Sequence, residues 1–435
     1  MKNIFLPFEV LERELFSRAF LSVKLAKNGH RVFLFEHTYF DRIGWPGKGI
    51  YLGKNCFRTE IPHSSIFYDE MKRKKIKVWF LDEEGGVYFG NTEEEWKDQL
   101  DKRFDLSGLK EDDKILCWGK WQKNHLQNKN LCASIFLSGS PNYDVFQKKY
   151  NRAFKNYDIK LTGGRKNFIL VNTRFSLGNA RLGIDTTFDP DKSAVSKLKS
   201  RSKIINSYVS NNLIMYSMIQ MIITVAKRNP HKHFIVRPHP NESKQIYEYM
   251  FLDSKNVDVI RKGPSDSWVR LSDALIHNGC STAIQANIAG KNVISYVPSG
   301  FEDDSTTGLP NTVGHYAKNS DEVNEIINNL DKYSPNKNNY WENTISNLNS
   351  IDFISELVES EDSKDDNNRI SLNRNNLFIE KLKDKISSIL NRKRSKYADL
   401  SLINSIKNSI KIANSHYDSD VICQKISNGC YLIQK

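Results

Sequence analysis

Three short motifs place side chains that bind or transfer charged groups directly after apolar runs of the chain. The first, Asp82-Glu83-Glu84-Gly85-Gly86, follows a run that ends at Leu81. Crowded carboxylates raise one another's pKa, which suits a general base that takes a proton near neutral pH. The alternative is a solvated acidic turn in which glycine supplies a positive φ.

The second motif is Arg237-Pro238-His239-Pro240, which follows the apolar run His233 to Val236. Flanking prolines restrict the backbone and hold His239 rigidly at the end of a strand. Its imidazole can donate a hydrogen bond to a phosphate, and Arg237 can bind the same group with two parallel bonds. The alternative is a turn that ends the strand and contains an incidental histidine.

The third motif, His277-Asn278-Gly279-Cys280-Ser281-Thr282, lies between an apolar run and a predicted helix over about 281 to 289. Backbone amides, the helix dipole and two hydroxyls at such a helix start form a cradle for an anion. Ser281 or Thr282 capping the helix is the alternative, and capping and phosphate binding are compatible.

Apolar runs alternate with amphipathic helical patterns around these motifs, in two series. The first opens with a strand at Asn3 to Phe8, a helix and a strand at Arg31 to Phe35; the second begins near Asn167 and contains a long helix over about Ser202 to Arg228. Such alternation predicts parallel sheets covered by helices. We therefore expect an α/β protein with one domain at 1–155 and a second at 156–345.

The C-terminal part differs in composition. Polar residues dominate 346–376, which predicts a linker, and 377–435 is expected to be a basic helical extension. Apolar side chains in it share one helical face, and basic ones follow: Phe378, Leu382, Ile386, Ile389 and Leu390, then Arg392, Lys393, Arg394 and Lys396. A helix over 377–411 that binds an anionic inner membrane and a helix packed on the protein body are both compatible with this pattern.

Composition narrows the class of protein. The formal charge of +13 over 435 residues favours an anionic partner, but no nucleic-acid-binding motif accompanies it. Six cysteines without metal-site spacing and an N-terminus without a signal-peptide pattern predict a cytoplasmic protein. The apolar stretch Leu213 to Ala226 is too short to span a membrane and predicts a core helix.

Other cofactor and metal motifs receive little support. No G-x-G-x-x-G or Walker loop occurs, which argues against nicotinamide and ATP chemistry. Asp189-Pro-Asp191 and Asp418-Ser-Asp420 match an acidic metal motif, but neither follows a convincing strand, so both are interpreted as solvated surface. We expect no metal and a metal-independent mechanism.

The order of the motifs over about residues 1–330 resembles the bacterial surface carbohydrate biosynthesis proteins. The segments that carry the resemblance are Tyr51-Leu-Gly53, Leu81-Asp-Glu-Glu-Gly85, Trp118-Gly119, Gly139-Ser-Pro141 with Asp144, Val171-Asn172-Thr173, Arg237-Pro-His-Pro240 and His277-Asn-Gly-Cys-Ser-Thr282. The acidic, His-Pro and paired-hydroxyl motifs are also similar to those of bacterial sialyltransferases and capsule Kdo transferases. Those are GT-B enzymes, with two Rossmann-like domains, that use CMP-activated acidic sugars.

The resemblance implies a glycosyltransferase of surface polysaccharide biosynthesis that moves Kdo or another nonulosonate from a CMP-sugar to a glycan or lipid-linked acceptor. It implies a base or nucleophile on Glu84 or Glu83, with Asp82 beside them and Asp144 as a further candidate. CMP contacts fall on His239, Ser281 and Thr282, with CMP expected to bind better than UDP. The chain departs from the common pattern at Gln285 and Glu84, where glutamate and aspartate are usual. A polyol-phosphate transferase, a sugar-nucleotide epimerase and a non-catalytic assembly protein are the alternatives.

Overall fold

A computed structural model describes most of the chain. The described residues are 1–9, 11–54, 56–57, 59, 64–82, 88, 90, 92–183, 188–189, 201–301, 308–333, 344–346, 349–361, 375–379, 381–382 and 400–435. They form two compact units. The first unit comprises 1–85, 97–145 and 342–435, and the second comprises 86–96 and 146–341.

The first unit is built on an eight-stranded sheet. Its strands are β1 (Asn3–Phe8), β2 (Arg31–Glu36), β3 (Gly49–Gly53), β4 (Ile76–Leu81), β5 (Lys114–Cys117), β6 (Ser134–Leu137), β13 (Ile422–Ser427) and β14 (Cys430–Gln434). They lie in the order β13-β14-β2-β1-β3-β4-β5-β6. β1 to β6 are parallel, whereas β14 runs antiparallel to β2 and to β13.

Seven α-helices precede the second sheet in the described chain. They are α1 (Leu11–Lys27), α2 (Tyr39–Ile43), α3 (Ser64–Arg73), α4 (Glu93–Arg103), α5 (Lys120–Gln127), α6 (Pro141–Asp144) and α7 (Asn151–Thr162). The apolar face of the first of them, α1, is buried. α1 ends at Lys27 because Gly29, with φ +87°, adopts the left-handed conformation that terminates a helix.

The second unit contains a six-stranded sheet in which every pair is parallel. Its strands are β7 (Ile169–Asn172), β8 (Phe234–Arg237), β9 (Val257–Val259), β10 (Ala274–His277), β11 (Asn292–Tyr296) and β12 (His315–Ala317), in the order β12-β11-β10-β7-β8-β9. Its later helices are α8 (Arg201–Arg228), α9 (Gln245–Met250), α10 (Ser265–Leu271), α11 (Thr282–Ile288) and α12 (Ser320–Asn328). The α/β prediction with two parallel-sheet domains is confirmed.

Helix α8 is the longest described helix. Within the described residues, its part Ile204–Arg228 is the one helix long and apolar enough to cross a membrane by length and composition, and half of the tested window is buried. Ile214, Met218 and Ile222 pack in the core of the second unit, which agrees with the prediction of a core helix.

The unit boundary differs from the predicted one at 155. Chain 146–162 belongs to the second unit, where the Arg270 guanidinium lies 3.8 Å from the centre of the Phe154 ring. Arg270 also donates two hydrogen bonds to Asp158, at 2.7 and 2.9 Å. These buried contacts join α7 to α10 and so place α7 in the second unit.

The prediction of a linker over 346–376 is corrected for its first part. Residues Ser350–Ser360 form a helix, α13, because Ile351, Ile354 and Val358 fall on one face and are fully buried in the first unit. Lys24 of α1 pairs with Asp352 of this helix at 2.8 Å. The segment 362–374 lies outside the described residues.

The all-helical prediction for 377–435 is also corrected. A helix, α14 (Leu400–Tyr417), packs on α1 through Phe20, His416 and Tyr417, and the hairpin β13–β14 then joins the first sheet. Of the predicted basic helix, 375–379 and 381–382 are helical, with Phe378 and Leu382 exposed; 383–399 lie outside the described residues.

Candidate functional site

Polar residues lie in one row at or next to the carboxyl ends of four neighbouring strands of the second sheet. Arg237 of β8 pairs with Asn172 of β7, Asn172 with His277 of β10, and His277 with Ser295 of β11. Because the strands are parallel, their carboxyl ends meet at one edge, where α/β proteins bind ligands. This edge, formed by the residues at and just after the ends of β7, β8 and β10, is called the strand-exit site below.

His277 belongs to the internal framework of this site. Its ring is fully buried; Nδ1 accepts a hydrogen bond from the Cys280 amide at 3.3 Å, and Nε2 lies 2.9 Å from the Ser295 hydroxyl. Burial, with the nearby Arg174 charge, lowers the pKa of His277 to about 3. The ring is therefore neutral, with its proton on Nε2, and the prediction that it binds a phosphate is corrected.

The turn after His277 is held by its own polar groups. Asn278 is buried and donates to the Tyr296 carbonyl at 2.9 Å, while the Gly279 amide donates to Asn311 Oδ1 at 2.5 Å. Gly279 has a φ of +66°, which favours glycine at this position. Two amides of the predicted cradle, those of Gly279 and Cys280, are thus engaged inside the protein.

The two hydroxyls of the motif have different roles. The Thr282 hydroxyl is mostly buried; it accepts a bond from Asn172 Nδ2 at 2.9 Å and donates to Cys280 Sγ at 3.0 Å. Ser281 is partly exposed and its hydroxyl makes no capping hydrogen bond to α11. The alternative that the Ser281 hydroxyl caps this helix is therefore wrong.

Arg174 is a cation of this site that the sequence analysis missed. It follows β7 by two residues, is partly buried, and donates from Nε to the Asn278 carbonyl at 2.8 Å. Its charge acts on both His277 and Cys280. A basic residue directly after the Val171-Asn172-Thr173 run is the signal that could have identified it.

Arg237 does not project a guanidinium towards a ligand. It is 9% exposed and donates to the carbonyls of Lys262 at 3.1 Å and Gly263 at 2.7 Å. Its guanidinium also lies 5.1 Å from the Trp268 ring centre, and burial lowers its pKa to about 10. The prediction that Arg237 binds a phosphate is corrected, because its donors hold the loop after β9.

His239 remains partly exposed just beyond β8. Its Nδ1 accepts a hydrogen bond from the Asn241 amide at 3.2 Å, which leaves the proton of the neutral ring on Nε2. In this tautomer Nε2 carries the donor, and the assignment of His239 to a phosphate stays a prediction.

Glu242 is a second residue that the sequence analysis missed. Its buried carboxylate accepts bonds from Thr173 Oγ1 at 2.8 Å, the Phe175 amide at 2.7 Å and the Tyr247 hydroxyl at 2.5 Å. Burial raises its pKa, and these donors oppose the rise. Glu242 ties the chain after β7 to the chain after β8 and so fixes the loop that carries His239.

The acidic motif lies after β4 of the first unit. Asp82 is fully buried, with Oδ1 3.7 Å from the Arg103 guanidinium, so it is an internal partner and not an accessible base. Glu83 and Glu84 lie outside the described residues. The catalytic assignment of Asp82 is therefore corrected, and that of the two glutamates stays a prediction.

Asp144 is likewise an internal residue of the first unit. It is fully buried, and its Oδ2 accepts a hydrogen bond from the Ile351 amide at 2.9 Å. This bond satisfies an amide at the start of α13. The prediction that Asp144 is a reacting carboxylate is corrected.

The two acidic metal-like motifs fall only partly within the described residues. Within the described ranges, no group of three or more His, Cys, Asp or Glu side chains is arranged to hold a metal ion. Asp418 and Asp420 are exposed, as expected of surface residues, and Asp191 lies outside the described residues.

Comparison with known proteins gives structural similarity without sequence similarity. No protein-family model matches the chain, and no curated protein matches it. The UDP-GlcNAc 2-epimerase of Methanocaldococcus jannaschii is similar in structure with a TM-score of 0.51 at 12% identity, over 82% of this chain and 99% of that chain.

Two further solved structures show weaker similarity. The UDP-GlcNAc 2-epimerase of Neisseria meningitidis, bound to UDP-GlcNAc, has a TM-score of 0.49 at 14% identity, over 82% of this chain and 100% of that one. The wall teichoic acid polymerase TagF has a TM-score of 0.46 at 11% identity, over 82% of this chain and 87% of that one. With the two parallel sheets and the first of these similarities, the chain has the GT-B type of fold, with two Rossmann-like domains.

Proposed function

We propose that this chain is a nucleotide-sugar-dependent enzyme of bacterial surface carbohydrate biosynthesis, acting in the cytoplasm. The reaction is transfer of a sugar, Kdo or another nonulosonate, from a CMP-sugar to a glycan or lipid-linked acceptor. The observation that supports it is the strand-exit site, where Arg174, His239 and Ser281 are partly exposed around a framework of buried, hydrogen-bonded side chains that includes His277 and Thr282.

The composition of this site suits a departing nucleotide phosphate. Arg174 supplies positive charge, while Ser281 and His239 supply hydrogen-bond donors. Ser281 follows β10 and His239 follows β8. These two strands are separated by β7 and so lie about 10 Å apart across the sheet. One nucleotide spans such a distance, so a single donor can contact both.

The acceptor hydroxyl needs a base, and we assign this role to Glu84 or Glu83. Asp82 and Asp144 are buried and engaged within the first unit, which removes two of the four candidates. A carboxylate that follows a buried parallel strand lies where α/β enzymes carry out chemistry.

Nucleotide binding tests the phosphate part of this proposal. By calorimetry, His239→Ala is expected to weaken CMP binding by about 1.5 to 3 kcal/mol, the value of a hydrogen bond to a charged group. Arg174→Ala and Ser281→Ala should weaken it as well, whereas Arg228→Ala, on an exposed arginine at the end of α8, serves as the matched control. Unchanged affinity in all three site variants contradicts the assignment.

Transfer assays test the catalytic part. We expect activity with CMP-Kdo or another CMP-nonulosonate and loss of turnover, with CMP affinity retained, in Glu84→Gln or Glu83→Gln. An active wild type that is insensitive at both positions excludes the proposed base.

A second candidate is sugar-nucleotide epimerisation, favoured by the similarity over nearly the whole length of a UDP-GlcNAc 2-epimerase. Incubation with UDP-GlcNAc and no acceptor separates the two activities, because only an epimerase releases an epimerised sugar there. If UDP binds and CMP does not, the CMP-sugar proposal fails and the epimerase candidate gains support.

We also infer peripheral contact with the anionic inner membrane through 377–411. Phe378 and Leu382 are 66% and 46% exposed, so these apolar side chains are not packed on the protein body. The basic residues that follow, Arg392 to Lys396, are of the type that anionic lipid attracts by roughly 1 kcal/mol each.

A further inference from the structure

A cavity of about 580 Å³ lies within the second unit, at the carboxyl ends of β8 and β9. Four of its lining side chains are cationic and none is acidic; the lining residues are Arg181, Ser243, Lys244, Gln245, Val259, Ile260, Arg261 and Lys262. This cavity is called the basic pocket below. Its volume falls in the range of small-molecule sites and exceeds what a single inorganic ion needs.

Buried side chains hold the loop that carries Arg261 and Lys262, which forms one wall of the basic pocket. The buried Arg237 guanidinium donates to the carbonyls of Lys262 and Gly263, and Trp268 Nε1 donates to the Lys262 carbonyl at 2.9 Å. The loop after β9 is therefore held by buried donors, and its two cations are carried on an ordered backbone.

The opposite wall is fixed in the same way. The Arg181 amide donates to the Asn241 carbonyl at 2.8 Å, and an isolated bridge pairs Ala180 with Glu242. Arg261 Nη2 donates to the Glu242 carbonyl, which joins the two walls. The pocket is thus built by backbone contacts and not by a chance grouping of surface side chains.

The positive charge of the pocket is only partly balanced. Among the described residues, the side chains of Arg181 and Lys262 form no ion pair, and Arg261 Nε is buried without a hydrogen-bond partner. Lys244 alone has an acidic partner, Glu248, at 2.6 Å. Three cations around one open pocket attract a multiply charged anion.

The basic pocket lies apart from the β10 end of the strand-exit site. The hydroxyls of Ser281 and Thr282 follow β10, whereas Ile260 to Lys262 follow β9, and the sheet order β10-β7-β8-β9 sets three strand spacings between them. That is about 14 Å across the sheet. One phosphate therefore cannot contact both the Ser281 hydroxyl and Lys262, whereas His239, after β8, lies on the side of the strand-exit site next to the pocket.

We infer that the basic pocket binds the phosphoryl group of a second, phosphorylated ligand, of sugar-phosphate or pyrophosphate size. Arg181 and Lys262 are the principal binding residues, because they carry charge that no acid in the described residues balances. Arg261 adds a guanidinium donor from the side of the pocket. The inference stands on this pocket alone and does not require the proposed transferase activity.

Calorimetry with inorganic pyrophosphate and glucose 1-phosphate tests the inference on the full chain. The double variant Arg181→Ala/Lys262→Ala should weaken pyrophosphate binding at least tenfold. Lys227→Ala/Lys255→Ala removes two exposed cations elsewhere in the same unit and should leave the affinity unchanged. Arg181→Lys/Lys262→Arg keeps the charge and should retain most of the affinity.

The strand-exit variants distinguish the two sites. Ser281→Ala and His239→Ala should leave pyrophosphate binding intact, and Arg181→Ala/Lys262→Ala should leave CMP binding intact. Absence of pyrophosphate binding to the wild type, an equal effect of the Lys227/Lys255 control, or loss of pyrophosphate binding in Ser281→Ala overturns the inference. Loss of CMP binding in Arg181→Ala/Lys262→Ala overturns it too, because the pocket is then part of the nucleotide site.

Discussion

Burial keeps the His277 imidazole uncharged, and the fold therefore opposes its protonation. The pKa of His277 falls from 6.5 to about 3. Between these values the unfolded chain binds a proton that the folded chain does not, so stability is complete above about pH 6.5 and falls as the pH drops towards 3. We expect a slope of at most roughly 1.4 kcal/mol per pH unit in the free energy of unfolding, measured by urea titration at pH 7, 6, 5 and 4.

A glutamine at this position removes the titrating ring. His277→Gln should lose this part of the slope, whereas His231→Gln, at an exposed histidine of the same unit, should keep it. An identical slope in wild type and His277→Gln would show that the ring is not held neutral by the fold.

Asp144 gives a second prediction at the scale of a single side chain. Its carboxylate accepts the buried Ile351 amide, so Asp144→Ala should destabilise the first unit by about 1 to 3 kcal/mol. Asp144→Asn keeps an acceptor oxygen and should lose less, and Asp253→Ala, at an exposed aspartate, should change stability by less than about 0.5 kcal/mol. Urea unfolding measures all three; a stable Asp144→Ala protein without activity would restore Asp144 as a reacting group.

Residue type and spacing predicted the strand-exit site better than they predicted its individual contacts. The motifs after β8 and β10 do follow strands of one sheet, with β7 between them, and His239 and Ser281 are partly exposed there. Arg237 and His277 instead point into the protein. A strand places successive side chains on opposite faces, and the sequence alone does not tell which face of the last residue meets the ligand and which meets a covering helix.

Strand positions followed well from the apolar runs. β1 lies where the apolar run predicted it, and β2 extends the predicted strand Arg31 to Phe35 by one residue, because buried parallel strands are short, apolar and bounded by polar residues. The hairpin β13–β14 was missed. Its signal is Asn428-Gly429, a typical hairpin dipeptide, and Gly429 has a φ of +79°. The polar residues of β13 concealed it.

The hairpin also offers a matched pair of isoleucines. Ile433 of β14 is fully buried, whereas Ile422 of β13 is 55% exposed. Ile433→Ala should lower the free energy of unfolding by about 2 to 5 kcal/mol, and Ile422→Ala by less than about 0.5 kcal/mol. Thermal and urea unfolding measure both; equal effects would show that β14 does not contribute to the core of the first unit.

Local patterns cannot reveal which distant segments share a sheet, and this limits prediction for the whole molecule. The chain returns to the first unit after it has completed the second unit, and the returning segments include 350–360 and 400–434. His30 Nε2 lies 2.6 Å from Glu359 Oε1, and Cys430 pairs with Phe35. Nothing in the composition of either partner specifies these long-range contacts, so the sequence predicted a linker and an extension in their place.

The return of the C-terminal segment to the first unit determines how membrane binding must be tested. Truncation at Asn376 removes α14, β13 and β14 together with the basic segment, so charge reversal is the better change. Arg392→Glu/Arg394→Glu should weaken sedimentation with anionic vesicles and leave folding intact. Lys407→Glu/Lys411→Glu alters the net charge equally on α14 and should have little effect. Equal losses in both variants would indicate non-specific attraction by net charge.

The pairing of β14 with β2 also bears on how the protein is synthesised. β2 ends at Glu36, yet its neighbour on one side, β14, is made only when synthesis reaches Cys430 to Gln434. At 5 to 20 residues per second, that edge of β2 lacks its partner for about 20 to 80 s. An unpaired strand edge is a template for wrong pairing, so nascent chains depend on chaperones most during this interval. A chain stalled at residue 420 contains all six strands of the second sheet. The first sheet has all eight of its strands only after Gln434 has been made.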